Sequence, residues 1–295
     1  MESQDRTAER SGRYRLMHAA RSPGAPIGVY DSGVGGLSVL RHIRAQLPAE
    51  DLIYFADSGH APYGEKTEEY VVERALLVAA FLLERGIKAL VVACNTATVA
   101  AIKAVRARYP DLPVVGVEPG LKPAAAATRS GKVGVLATAR TLKGDKFLQL
   151  REQISAATQA KFLLQPCVGL VDQIELGDLQ TPAIAALLEQ YVAPLLDQGA
   201  DTLVLGCTHY PFVQAGIERV LHAHGHADVT LIDTGDAVAR QLVRLLGAAG
   251  LLRPAHGEGD APASLRGYTT ADTGALAPAF ANLLGLYPPV EKVDV

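Results

Sequence analysis

Cys94, in "ACNTATVAA", and Cys207, in "GCTHYPF", each close a run of apolar, β-prone residues where a strand should open into a loop or helix. Loops after strands are where α/β enzymes keep their chemistry. After Cys94, residues Asn95, Thr96 and Thr98 lead into a helical pattern. A thiol at a helix N-terminus has its thiolate favoured by the dipole and by unpaired amides. His209 stands two residues beyond Cys207, where an imidazole can hold a thiol ionised or take its proton. One such cysteine reads as core filling, whereas a matched pair reads as chemistry. Cys167 has no such companion and reads as structural or wall-lining. Glu175 reads equally well as a cleft carboxylate or a solvated helix residue.

Two opposed thiols suit the inversion of a stereocentre without a cofactor. A proton must leave one face and another must arrive on the opposite face, so one group is thiolate while the other is thiol. The α-proton of an amino acid is very weakly acidic. The site must therefore stabilise a developing carbanion with donors on the carboxylate. Asn95, Thr96, Thr208, and the regions of Ser32 and Gly64 supply such donors. The rival class is a metal- or ligand-binding module with Cys94, Cys207 and His209 as zinc ligands. Cys-x-His is not a usual zinc-finger spacing, however, and no C-x-x-C occurs. A pyridoxal-phosphate racemase would need a lysine in a matching strand-end context, and none is present.

Two glycine-bearing turns accompany these residues. "DSGVGGLSVL" (31–40) invites a phosphate-loop reading but lacks the terminal Gly-Lys-Ser/Thr, leaving Asp31 and Ser32 as the ligand-facing candidates. "ADSGHAPYGEK" (56–66) is a turn whose free amides around Pro62, Tyr63 and Gly64 would also grip a carboxylate.

The elements that must position these groups are legible as short Val/Ile/Leu-rich runs. They are "PIGVYDSG", "DLIYFADSG", "ALVVACNTA", "PVVGVEPG", "KVGVLATA", "KFLLQPC", "TLVLGCTHY" and "VTLIDTG". Amphipathic stretches lie between most of them, including Leu37, Leu40, Ile43 and Leu47, and Leu187, Leu188, Tyr191, Leu195 and Leu196. This alternation predicts βαβ units, an α/β fold and mainly parallel sheets covered on both faces. The runs also look duplicated. Ile27 matches Val133, Cys94 matches Cys207 and Val114 matches Thr230, in order and at similar offsets. Two pseudo-symmetric α/β domains would then set the two cysteines across a shared cleft.

Composition narrows the classes. With 295 residues, 49% of them hydrophobic, the chain can build a large core. A formal charge of −3 without a dense Lys/Arg cluster argues against a nucleic-acid partner. Three scattered cysteines point to a reducing, cytoplasmic setting, and no apolar run approaches the roughly 20 residues that span a bilayer. Residues 1–25 mix charges with small residues and read as a disordered leader.

In this order, "DSGVGGLSVL", "FADSGHAPYGEK", "ACNTAT", "LATARTLK", "GCTHYPF" and "IDTGDAVA" resemble the cofactor-independent aspartate/glutamate racemase family, on its glutamate-acting side, over about Pro26 to Tyr287. The resemblance implies interconversion of L- and D-glutamate, with D-glutamate going to bacterial peptidoglycan. Aspartate is the nearest alternative substrate. It further implies that Cys94 handles the proton of D-glutamate and Cys207 that of L-glutamate, with Asp31 near the first thiol, His209 near the second, and Glu175 assisting. Ser32, Pro62, Tyr63, Gly64, Asn95, Thr96, Thr138, Thr141 and Thr208 would hold the substrate, Asp31 among them. No metal or other cofactor is implied, and a homodimer is. Around Glu175 the match loosens, since Cys167-Val168 and Val171-Asp172 stand where the family commonly has Cys-Pro and Val-Pro. The family fold also returns the C-terminal segment to the first domain. The expected division is 26–117 with 232–288 as one domain and 118–231 as the other.

Overall fold

The computed structural model describes residues 22–254 and 262–295. Of the expected disordered leader, 1–25, residues 1–21 lie outside the described residues, while 22–25 form a turn in which the Ala25 amide donates to the Ser22 carbonyl at 3.0 Å. Among the described residues the chain builds two parallel sheets. The first is assembled around β1 (Ile27–Asp31), β2 (Leu52–Ala56), β3 (Ala89–Val92) and β4 (Val114–Gly116), and the second around β5 (Lys132–Ala137), β6 (Lys161–Pro166), β7 (Thr202–Leu205) and β8 (Thr230–Ile232). All eight apolar runs are therefore strands.

The two sheets repeat one plan. Spatial order is β2-β1-β3-β4 in the first and β6-β5-β7-β8 in the second. β1 pairs with β2 in register Ile27↔Leu52 and with β3 as Ile27↔Ala89, and β5 pairs with β7 as Val133↔Thr202. The sequence matches fall on corresponding strands. Cys94 lies two residues beyond β3 and Cys207 two residues beyond β7.

The strands are apolar on both faces because helices cover both. Ile27 and Val29 of β1 face one core, shared with Leu37, Leu40 and Ile43 of α1 (Leu37–Gln46). Tyr30 faces the other core, shared with Val71, Ala75 and Val78 of α2 (Glu68–Glu84) and with Ala101 and Ile102 of α3 (Asn95–Arg108). This is the two-residue alternation of a strand, read through two covered faces. The second sheet is covered in the same way. On one face lie α4 (Leu121–Ala127), α5 (Ala139–Lys143) and α6 (Asp145–Thr158). On the other lie α7 (Leu170–Glu175), α8 (Pro182–Asp197) and α9 (Gln214–Ala223). Of the predicted stripe, Leu188, Tyr191, Leu195 and Leu196 are buried on α8, and Leu187 is half-buried against the same core.

After β8 the chain returns. α10 (Gly235–Ala248) buries Val238, Leu242 and Leu246 against α1, and β9 (Leu265–Thr269), α11 (Thr273–Leu284) and β10 (Val290–Lys292) follow. β9 pairs with β2 as Leu52↔Leu265 and β10 pairs with β9, which makes the first sheet six-stranded. The apolar-run reading missed both strands. β9 carries Arg266 and Gly267, and β10 is only "VEK", so neither forms a continuous apolar run.

Candidate active site

Parallel strands all deliver their carboxyl ends to one edge, and here two sheets do so towards one cleft. The first sheet supplies Ser32 after β1, the segment Pro62-Tyr63-Gly64 after β2, and Cys94, Asn95 and Thr96 after β3. The second supplies Thr138 after β5, Cys167 and Val168 after β6, and Cys207, Thr208 and His209 after β7. Glu175 reaches the same cleft from the end of α7. Of the predicted residues, Asp31 and Thr141 do not line it; both are fully buried directly behind it.

Cys94 caps α3: its Sγ accepts the Ala97 amide at 3.4 Å, as the strand-to-helix pattern predicts. Ser32 Oγ lies 3.5 Å from the same sulfur. Burial and the neighbouring Asp31 carboxylate raise the Cys94 pKa well above the ordinary thiol value, against the pull of the Ser32 and Ala97 bonds. The isolated site therefore holds Cys94 as a thiol. The charge of Cys207 also acts on Cys94, in the raising direction. A thiolate at one site therefore disfavours a thiolate at the other, which is the arrangement an opposed acid and base need.

Cys207 Sγ lies 3.6 Å from His209 Nδ1, and His209 Nε2 lies 2.6 Å from Glu175 Oε1. The imidazole is thus held at both nitrogens. Burial alone lowers the His209 pKa, but the bonds to Cys207 and Glu175 outweigh it and lift it well above the ordinary histidine range. Burial likewise pushes Glu175 up, and His209 more than offsets that, so its carboxyl ends below the usual value. Glu175 also accepts the Val34 amide at 3.0 Å. Glu175 is thus bonded to the imidazole that stands beside the second thiol.

Asp31 ties the two halves together. Its carboxylate accepts the amides of Ser32, at 2.7 Å, and of Gly36, and the Thr208 hydroxyl from the second sheet at 3.3 Å. Burial raises its pKa and Glu175 adds to this, while His209 opposes it. These bonds also decide the phosphate-loop reading of residues 31–40. The Val34 and Gly36 amides at the start of α1 are taken by Glu175 and Asp31. The loop packs too tightly for side chains, since a Cβ on Gly35 would lie 2.4 Å from His209 Nδ1.

On the opposite wall, Thr96, Thr138 and Thr141 form a triangle of hydroxyls across the halves. Thr96 lies 3.0 Å from Thr138 and 3.3 Å from Thr141, and Thr138 donates to Thr141 at 3.0 Å. Asn95, at the first turn of α3, is buried with neither Nδ2 nor Oδ1 bonded. A buried amide lacking both partners is costly unless something completes it, and this one opens on the cleft. Cys167 is buried in the wall, where burial pushes its thiol up to about 12, so it stays protonated. Val171 and Asp172 of α7 also line the cleft and were not predicted. Their signal in the sequence was weak, because α7 is too short for a helical period to show.

The chain matches the model of the Asp/Glu/Hydantoin racemase family over residues 27–242. It is 60% identical over 228 residues to the glutamate racemase of Ectopseudomonas mendocina, covering 77% of this chain and 84% of that one. To the glutamate racemase of Pseudomonas paraeruginosa it is 53% identical over 271 residues, covering 92% and 98%. Among solved structures, it superimposes on a glutamate racemase isoform from Bacillus anthracis with a TM-score of 0.80 at 31% identity, covering 92% and 98% of the two chains. It superimposes on Escherichia coli glutamate racemase, solved with L-glutamate and the activator UDP-MurNAc-Ala, with a TM-score of 0.78 at 33% identity, covering 92% and 99%. The mainly parallel two-sheet fold, the cleft at the strand ends and these matches agree: the chain belongs to the Asp/Glu/Hydantoin racemase family.

Proposed function

We propose that the chain is a glutamate racemase that interconverts L- and D-glutamate without a cofactor, Cys94 and Cys207 acting as opposed acid and base. The observation that carries this reading is the pair of buried thiols at corresponding ends of β3 and β7, lining one cleft from two halves. Relatives at 53–60% identity bear the name glutamate racemase, which supports the substrate.

In one direction Cys94 takes the α-proton of D-glutamate as Cys207 delivers one to the other face; in the reverse direction Cys207 takes it from L-glutamate. Burial and Asp31 keep Cys94 protonated, so ionising it requires a compensating charge. The ammonium of an amino acid beside Asp31 and Ser32 supplies that charge, so substrate arrival prepares the base. His209, oriented by Glu175, exchanges a proton with Cys207. Asn95, Thr96 and Thr208 hold a carboxylate where charge develops in the transition state, and the 62–64 segment holds the other. Thr138 borders the same volume, and Thr141 works from behind it.

The reading extends to a cytoplasmic homodimer supplying D-glutamate for peptidoglycan. No helix among the described residues is long and apolar enough to cross a membrane. For the domains we propose 26–117 with 232–288 as one body and 118–231 as the other. Sheet membership supports this division, except that β8 carries the second body through Ile232 and β10 extends the first body beyond 288.

The test is to incubate the purified protein with single enantiomers of glutamate and of aspartate and follow optical activity by circular dichroism. Loss of signal with both glutamate enantiomers, and a far slower loss with aspartate, is expected. Turnover of aspartate alone would keep the chemistry and replace the substrate.

A further inference from the structure

One layer behind the cleft lies a buried charge that the proposed chemistry does not use. Asp57, in the turn after β2, is fully buried and accepts four donors. Arg74 of α2 gives Nε at 2.9 Å and Nη2 at 2.8 Å, Tyr63 its phenol at 2.5 Å, and Thr270 its hydroxyl at 2.9 Å. Tyr30 donates in turn to the Tyr63 oxygen at 2.7 Å. A buried carboxylate–guanidinium pair is a poor way to gain stability, because desolvation consumes most of the attraction. Its two-pronged geometry is a good way to fix direction.

What is fixed becomes clear on following Tyr63 outward. Pro62 and Gly64 flank it and line the cleft. Gly64 approaches the other half so closely that a Cβ there would lie 3.2 Å from Thr138 Cβ. On its inner side Tyr30 belongs to the same buried cluster as Tyr63 and Cys94. The returning C-terminal segment braces the whole arrangement. Thr270 follows β9, and the backbone oxygen of Val295, beyond β10, accepts Arg74 Nη1 at 2.6 Å.

We infer that Asp57 and Arg74 are positioning residues for substrate. Acting through the Tyr63 hydroxyl, they hold segment 62–64 at the distance from Thr138 and Cys94 that a dicarboxylate requires. The inference rests on the reading of the chain as a glutamate racemase. It also gives β9 and β10 a purpose that strand pairing alone does not, namely to brace the cleft wall from behind.

The experiment compares wild-type protein with Arg74→Lys, Tyr63→Phe and the double variant, in steady-state racemisation from both enantiomers. Lys88→Met is the control, since the Lys88–Glu50 ion pair is buried at the opposite, amino end of the first sheet. Thermal unfolding with and without glutamate reports binding independently of turnover. Arg74→Lys and Tyr63→Phe are each expected to raise KM about five-fold or more with kcat within about two-fold. The double variant should be little worse than the worse single one, as members of one network are non-additive. Lys88→Met should lower the unfolding temperature and leave KM alone. If wild type racemises glutamate while Tyr63→Phe and Arg74→Lys keep KM within about two-fold, the inference is overturned by itself. If Arg74→Lys fails to fold, Tyr63→Phe decides alone, since it removes a single oxygen. A wild-type protein that neither racemises glutamate nor is stabilised by it overturns the proposed function, and this inference with it.

Discussion

At Cys94, burial and the Asp31 carboxylate disfavour the thiolate, while the Ser32 hydroxyl and the Ala97 amide favour it. At Cys207 the companion is an imidazole held from behind by Glu175. The Glu175–His209 pair has a defined pH window. Glu175 titrates below its ordinary 4.5, so its contribution is present above that value and is lost as pH falls through the lowered one. His209 titrates above its ordinary 6.5, so its contribution is full below that value and is lost as pH rises through the raised one. Replacing Glu175 with Gln removes a main cause of the His209 shift. The variant should lose about 1.5–3 kcal/mol between those two values, the size of a hydrogen bond between charged groups. Its alkaline decline in stability should also move to lower pH. Unfolding measured across pH, with ring titration of His209 by NMR, checks both; an unmoved His209 titration would refute the coupling. At this scale the sequence exposed Cys94, Cys207 and His209, since each stands at a strand end in a recognisable string. Asp57 stayed hidden because its partners lie at Arg74 and Thr270, far off in sequence. Arg74 did leave a trace, as a cation on the apolar stripe of Val71, Ala75 and Val78.

The element that matters most for geometry is the turn into α1. Its glycines admit the side chains of the second sheet: a Cβ on Gly33 would lie 2.1 Å from Glu175 Oε1, and one on Gly35 would lie 2.4 Å from His209 Nδ1. Gly35→Ala must therefore push the imidazole away from Cys207. The expected cost is about 1–3 kcal/mol of stability from overpacking, with a fall in kcat of about a hundred-fold. Far-ultraviolet circular dichroism and the racemisation assay measure the two separately; near wild-type kcat would show that the His209 position does not matter. The sequence displayed this turn as a glycine-rich strand-to-helix junction. It could not display what fills it, because the Val34 and Gly36 amides go to carboxylates at Glu175 and Asp31 rather than to a phosphate. The eight strands were readable because each is apolar on both faces. β9 and β10 were not, since they carry Arg266, Gly267, Glu291 and Lys292.

For the whole molecule, the repeated strand order places each cysteine at the same point of its own sheet, and the facing of the two sheets makes a single cleft of two strand ends. The duplication was visible in three strand pairs. The return of α10, β9 and β10 to the first sheet came from the family resemblance instead, because nothing in the periodicity of those residues says which sheet they join. The architecture divides the two faces of a substrate carbon between two halves, and the central claim is that each half supplies one proton carrier. The most direct test follows D-glutamate in deuterium oxide by NMR at Cα, for wild type, Cys94→Ser and Cys207→Ser. The account predicts racemisation with solvent deuterium at Cα in the wild type and loss of racemisation in both variants. Racemisation at the wild-type rate in either variant would contradict it.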